Sequence, residues 1–175
     1  MLPGVTLRES AVLVPLFLRD GQPHLVLTRR PQSLRRHAGQ ISFPGGATDP
    51  QDRSALETAL RETHEELGLA PSQVEVLGSL SEIPTITSFR IRPFVGVISG
   101  EVSYRPNPEE IDEVIEAPLR ALVDPGIHRV ESVRVMGADH PVHYYQHGPH
   151  LIWGATARIL RDLLEIGAML DPPLW

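Results

Sequence analysis

The sequence predicts an α/β (mixed α+β) fold built on a mixed β-sheet. Short apolar runs of strand composition are separated by turn residues, two stretches carry helical periodicity, and hairpins are interspersed among them. With 175 residues, the chain fits a single domain, 1–175, and can bury most of its apolar surface without staples. Its 41% hydrophobic and 22% charged residues are ordinary for a soluble globular protein.

Ala11–Arg19 reads as a buried strand in which Pro15 suggests an edge or a bulge. Asp20-Gly21 makes a turn, and His24–Thr28 is the hairpin partner. Arg29–Asp52 has no period and carries Gly39, Pro44, Gly45, Gly46 and Pro50, so it is expected to be a long ordered loop of the kind that serves function. Ser54–Leu67 is a helix opened by a Ser54/Glu57 capping box, closed by Gly68 and kept from resuming by Pro71. Val74–Leu80 and Ile91–Ile98 read as strands. Pro106–Glu113 is an acidic loop leading to a short strand around Val114, and Leu119–Val123 is a short helix. Val130–Met136 and Val142–Tyr145 suggest a hairpin. Ala155–Leu170 is the second clear helix, with Ile159, Leu160, Leu163, Leu164 and Ile166 on its apolar positions.

Composition excludes several functions. The chain has no cysteine, so disulfides, zinc-thiolate sites and a thiol nucleophile are ruled out. Its first ten residues lack the pattern of a signal peptide, and the longest apolar stretch, Ala11–Leu18, is too short to span a bilayer. The expectation is a cytoplasmic protein with no membrane partner. A net charge of −6 does not favour nucleic acid. All sixteen basic residues are arginine, and Arg29, Arg30, Arg35 and Arg36 fall within eight residues. Genomic base composition accounts for the missing lysine. The local cluster suits either a solvated loop or a phosphate site, since arginine offers a bidentate fork.

On a helical wheel of about 100° per residue, Leu56, Leu60, Thr63 and Leu67 share the arc expected to face the core. Glu62, Glu65 and Glu66 share another. Like charges three and four apart repel by a few tenths of a kcal/mol per pair. A hard divalent cation with oxygen ligands would reverse that sign, while a solvated acidic face would simply tolerate it. Glu57 and Arg61 stand at i,i+4, which could hold Arg61 beside the cluster.

The residues around this helix resemble the Nudix hydrolase pattern G-x5-E-x7-R-E-U-x-E-E-x-G-U, where U is a bulky aliphatic residue. Here Gly46 is followed by five residues, Asp52, eight residues, and Arg61-Glu62-Thr63-His64-Glu65-Glu66-Leu67-Gly68-Leu69. Asp52 stands in place of the first glutamate, one extra residue precedes Arg61, and Thr63 replaces an aliphatic residue. The resemblance implies a Nudix fold, an α-β-α sandwich around a mixed sheet with a catalytic loop-helix-loop. It implies Mg2+ or Mn2+ held by Glu62, Glu65, Glu66 and the carbonyl of Gly46, with Arg61 orienting the acidic cluster.

A second pattern precedes this one. Val26-Leu27-Thr28-Arg29-Arg30-Pro31, then Arg35, Gly39 and Phe43-Pro44-Gly45-Gly46 at intervals of three residues, resembles the signature of the coenzyme A pyrophosphatase branch, L-L-T-x-R-[SA]-x3-R-x3-G-x3-F-P-G-G. Ile152-Trp153-Gly154-Ala155-Thr156-Ala157-Arg158 resembles that branch's C-terminal segment. The resemblance implies hydrolysis of the pyrophosphate of coenzyme A, a small-molecule substrate, to 3′,5′-ADP and 4′-phosphopantetheine. Arg29, Arg30, Arg35, Arg36, Gly45 and Gly46 would contact it, and Glu62, Glu66, Glu82, Glu109 or Glu110 would serve as base. The other readings are a Nudix hydrolase of ADP-ribose, NADH or a nucleoside triphosphate, and a non-catalytic ligand-sensing Nudix domain. Monomer and homodimer are both open.

Overall fold

The computed structural model describes residues 7–33, 37–100, 102–135 and 137–175. The predicted first hairpin forms from β1 (Arg8–Arg19) and β2 (Gln22–Arg29). Its turn residues Asp20 and Gly21 both have positive φ, 51° and 74°, which suits the tight turns that match strand twist. The loop predicted after it is not wholly irregular. It contains two short strands, β3 (Ile41–Ser42) and β4 (Gly45–Ala47), before helix α1 (Ala55–Leu67). Then follow β5 (Val74–Ser79), β6 (Ile83–Pro84), β7 (Phe89–Ile98), β8 (Glu113–Pro118) and a single helical turn, α2 (Leu119–Leu122). The second predicted hairpin is longer than expected, β9 (His128–Val135) with β10 (Ala138–His147). A further strand, β11 (His150–Trp153), leads into α3 (Gly154–Ala168).

Strands β1 to β8 form one mixed sheet, with β3-β2-β1-β7-β5 as its main path, and β9 to β11 form a second, antiparallel one. Against the edge position suggested by Pro15, β1 is central: it pairs parallel with β7 from Arg8 to Leu16. On its other side it pairs antiparallel with β4 at residues 10–12 and with β2 at residues 16–19. The Leu13 N–H donates toward the β4 side, to the Pro44 carbonyl (2.9 Å). By strand alternation, residue 15 would donate to the same side. Proline, which has no N–H, occupies the gap where β1 changes partner, so no ladder bond is lost.

The sheet is covered on both faces, as an α-β-α sandwich. Ala11 and Leu13 pack with Ala59 of α1, and Phe17 and Val26 pack with Leu67. On the opposite face, Val14, Leu16, Leu25 and Leu27 join Ile159, Leu160 and Leu163 of α3. Ile166, expected among them, is half exposed because it lies at the margin of the buried stripe of α3, which runs through Ile159, Leu160, Leu163, Leu164 and Gly167. Among the described residues, no helix is long and apolar enough to cross a membrane.

Helix α1 is rotated relative to the expected wheel. Its buried residues are Thr58, Ala59, Thr63, Glu66 and Leu67, while Leu56 and Leu60 are only partly buried. The shift is roughly 70° toward Glu66 at 100° per residue. Strand β4 and the loop at Asn107 cover that side: the Gly45 N–H donates to the Glu66 carboxylate, and the Asn107 N–H donates to its backbone carbonyl. Leu67→Ala should therefore cost about 2–5 kcal/mol, with Leu60→Ala well below it. Denaturant titration of the two variants gives the ranking, and equal losses would argue against this rotation.

Candidate active site

The site assembles on α1 because its start and the loop before it are held by local bonds. The Ser54 side chain accepts from the Glu57 N–H (3.2 Å). The expected box is only half made: the Glu57 carboxylate accepts from the Arg53 N–H (2.7 Å) and pairs with the Arg53 guanidinium (3.0 Å). Glu57 therefore does not hold Arg61.

Asp52 does that instead. Its carboxylate, 4% exposed, accepts from Nε and Nη2 of Arg61 at 2.9 and 3.0 Å. It also accepts from the Thr58 hydroxyl and the Asp49 N–H, both at 2.9 Å. The Arg61 guanidinium holds the Asp52 carboxyl well below the usual carboxylate range, and Asp52 in turn holds Arg61 charged. This is a charge-assisted fork-to-fork pair. The remaining Arg61 nitrogen, Nη1, reaches Glu62 (3.0 Å) and Glu65 (3.1 Å). Asp52 thus anchors the arginine that touches the acidic cluster. The extra residue before Arg61 accompanies a carboxylate one methylene shorter than glutamate.

Glu62 and Glu66 lie on the inner side of the helix and Glu65 on its rim. Glu66 is 3% exposed, and burial pushes its carboxyl up to about 8, against the pull of the Gly45 N–H, which donates to it at 3.1 Å. Burial also raises Glu62, with the adjacent Arg61 opposing it. The charge of a third acid, Glu110, raises both, and the charge of Glu62 raises Glu66 as well. Glu65 is half exposed and turned toward Arg61.

The two glycines of β4 make this closeness possible. A Cβ at Gly46 would lie 2.5 Å from the Glu62 carboxylate. At Gly45, with φ 151°, a Cβ would meet the Ala11 carbonyl oxygen at 2.3 Å. Bare backbone is therefore pressed against two desolvated carboxylates, and hard oxygen donors of this type fit a divalent cation. Among the described residues, no three His, Asp or Glu side chains converge as a ready cage. The groups brought together here are Glu62, Glu66 and the bare backbone of Gly46, with Glu65 at the edge.

The arginines separate. Arg29 is engaged by Asp112 (2.8 Å) and Glu113 (2.9 Å). Arg30 has no ion-pair partner among the described residues. Its Nε is buried without a hydrogen bond, and its charge reaches Glu66. Arg35 and Arg36 lie outside the described residues. Of the acids considered as base, Glu82 is tied to Arg92 and Arg90, Glu109 is exposed, and Glu110 is half-buried beside the cluster.

Sequence reasoning missed two contributors. Thr58, a small polar residue one turn before Glu62, braces Asp52. Asn107, distant in sequence, donates its N–H to the Glu66 carbonyl (2.9 Å) and brings Glu110 near through a turn. Nothing local in the sequence marks the second.

The NUDIX domain model matches residues 7–142. The chain belongs to the Nudix family. Relatives described as uncharacterized Nudix hydrolase NudL include one from Enterobacter sp. (strain 638), 41% identical over 163 residues, or 91% of this chain and 83% of that protein. Another, from Klebsiella pneumoniae, is 42% identical over 92% of this chain and 84% of its own length. Among solved structures, the Nudix hydrolase RenU from M. smegmatis superposes with a TM-score of 0.64 at 17% identity, over 93% of this chain and 87% of that one. The NUDIX domain of Shewanella oneidensis NrtR, crystallised with ADP ribose, gives 0.50 at 20% identity, over 65% of this chain and 74% of that one. These structural likenesses show the Nudix fold. Nudix enzymes generally use divalent metal ions, in keeping with the donor set on α1.

Proposed function

We propose that this Nudix protein hydrolyses the pyrophosphate bond of coenzyme A to 3′,5′-ADP and 4′-phosphopantetheine. The observation that carries the reading is the placement of Arg30. It is the arginine that matches the fixed position after Leu27-Thr28; among the described residues it has no ion-pair partner and its charge reaches Glu66, while its neighbour Arg29 is bound to two acids. A cation held in that way is available to a phosphate.

The Asp52–Arg61 pair fixes the register of Glu62 and Glu65. Gly45 fixes Glu66 through its N–H, and the bare backbone of Gly46 lets Glu62 approach. Mg2+ or Mn2+, held by Glu62, Glu66 and the Gly46 carbonyl, would supply phosphate charge neutralisation and an acidified water. Glu110, the loop acid whose charge reaches Glu62 and Glu66, would accept the proton of the attacking water. Arg30 would balance charge on the pyrophosphate as the phosphorus–oxygen bond to the leaving phosphate breaks.

The test is a product assay with Mg2+ or Mn2+ against coenzyme A, dephospho-coenzyme A, ADP-ribose, NADH and dGTP. Coenzyme A should be preferred, and loss of its 3′-phosphate should lower kcat/KM roughly ten- to a hundredfold, the worth of one charge-assisted contact. A double cycle of Arg30→Ala and Arg35→Ala against loss of the 3′-phosphate assigns that contact. Equal kcat/KM for coenzyme A and dephospho-coenzyme A would reduce coenzyme A to one accepted pyrophosphate among several. Preference for ADP-ribose would replace it.

A further inference from the structure

A cavity of about 440 Å³ opens between the arginine loop and the turn that joins β10 to β11, within the range of small-molecule sites. Its polar wall holds Arg29 and Gln32, and its apolar wall holds Leu151 and Trp153. Leu151 and Trp153 alternate along β11, so they share one face, and they remain 37% and 44% exposed. The intervening Ile152 is fully buried in the core and fixes the strand beneath them. The Gln32 amide lies over Gly39, so close that a Cβ there would come within 2.2 Å of Nε2. The rim is tied by Glu113, which pairs with Arg29 (2.9 Å) and His150 (3.4 Å).

The cavity and the carboxylates flank one edge of the molecule. Arg29 lines the cavity, and the next residue, Arg30, bears on Glu66. The edge between them is pinned by the Arg30 N–H to the Gln40 carbonyl (3.0 Å) and the Gly39 N–H to the Arg30 carbonyl (3.2 Å). Ile41 lines the cavity, and Gly45, four residues on, donates to Glu66. Four residues reach at most about 14 Å, a span on the scale of a nucleoside diphosphate.

We infer that this cavity receives the adenine base of the substrate, stacked on Trp153, with the Gln32 amide at the base edge and the phosphates passing over Arg30 to Glu62 and Glu66. The inference rests on the pyrophosphatase reading for its direction, but adenine is shared by coenzyme A, ADP-ribose and NADH, so it does not depend on which is cleaved. The apolar platform and the amide suit a purine: the flat ring takes the stacking contact, and the amide offers both donor and acceptor.

The test is calorimetric titration of the whole chain with AMP, 3′,5′-ADP and ribose 5-phosphate. Trp153→Ala should weaken AMP and 3′,5′-ADP roughly tenfold to a hundredfold, the worth of one base–aromatic stack. It should leave ribose 5-phosphate unchanged, and Trp153→Phe should restore most of the loss. Circular dichroism of each variant verifies folding; should Trp153→Ala not fold, the Phe and Leu variants carry the comparison. Equal weakening of ribose 5-phosphate, unchanged affinity for AMP, or no AMP binding to the wild type would each overturn the base site. If coenzyme A is not hydrolysed but AMP binding still depends on Trp153, the substrate assignment fails and the base site stands.

Discussion

Glu66→Gln should lower kcat by roughly 10²- to 10⁴-fold, the range for losing a positioned acid–base or charge-bearing group, while the protein folds at least as well as wild type. Glu66 is 3% exposed and its carboxyl is pushed up to about 8 by burial. In the metal-free protein, an ionised Glu66 therefore opposes folding. The sign follows from linkage: a carboxyl whose folded value is raised costs stability as pH rises from the unfolded value, about 4.3, toward the folded one. Removing the charge relieves that cost, and the amide oxygen can still accept from Gly45. Thermal melts at pH 8 without metal should show Glu66→Gln no less stable than wild type. Adding Mn2+ should raise the wild-type Tm more than that of the variant, because a ligand that binds only the folded state stabilises it by mass action. Near wild-type turnover in Glu66→Gln would remove Glu66 from the chemistry. A variant that fails to fold would mean that the burial of Glu66 is structural.

Asp52→Ala is expected to lose both stability and activity. It strips Arg61 of two bonds, leaves the Asp49 N–H without its acceptor, and leaves the Thr58 hydroxyl only its longer contacts to Thr48 and Ser54, 3.4 Å each. Breaking a buried ion pair from one side costs about 3–5 kcal/mol. Arg61 keeps Glu62 and Glu65 and is 29% exposed, so about 2–4 kcal/mol is expected. Freed from Asp52, Arg61 can close on Glu62 and Glu66 and compete with a cation for their charge. Turnover should fall more than stability alone predicts and recover partly at high Mg2+. Asp52 is depressed, so its stabilisation is present above the unfolded carboxyl value, about 3.9, and is lost as pH falls through that range toward the much lower folded one. The stability gap between wild type and Asp52→Ala, measured in denaturant at pH 7 and pH 3, should shrink. A gap that stays constant would show that the pair contributes through packing alone.

The helix, its glycine terminus and the acidic triplet were legible because capping and periodicity are local signals. Gly68 does adopt φ 72°, with its N–H on the His64 carbonyl (2.8 Å). Which side of α1 faces inward was not legible. The wheel weighs side chains by hydropathy and so turned Leu60 inward, whereas β4 and the Asn107 loop bury Glu66 instead. The pattern marked Asp52 as standing in place of the first glutamate, but not that it rather than Glu57 holds Arg61, because a carboxylate nine residues before an arginine meets it only through the fold of the intervening loop. Pro15 misled for a related reason. Proline signals a missing donor, and only the tertiary partner change of β1 reveals that no acceptor waited there. The short strand β11 escaped notice because four residues before a helix carry no period of their own.

The carboxylates, the anchored arginine and the two glycines all come from one run of the chain, Gly45 to Glu66, and bond chiefly to one another. The far wall of the neighbouring cavity comes from residues 149–153, about a hundred positions later. Arg30 and Glu110 apart, the groups proposed to break the bond and the far wall of the cavity therefore lie in separate stretches of the chain. Variation in the later stretch can retune which molecule is gripped while the earlier one goes on cutting the same linkage.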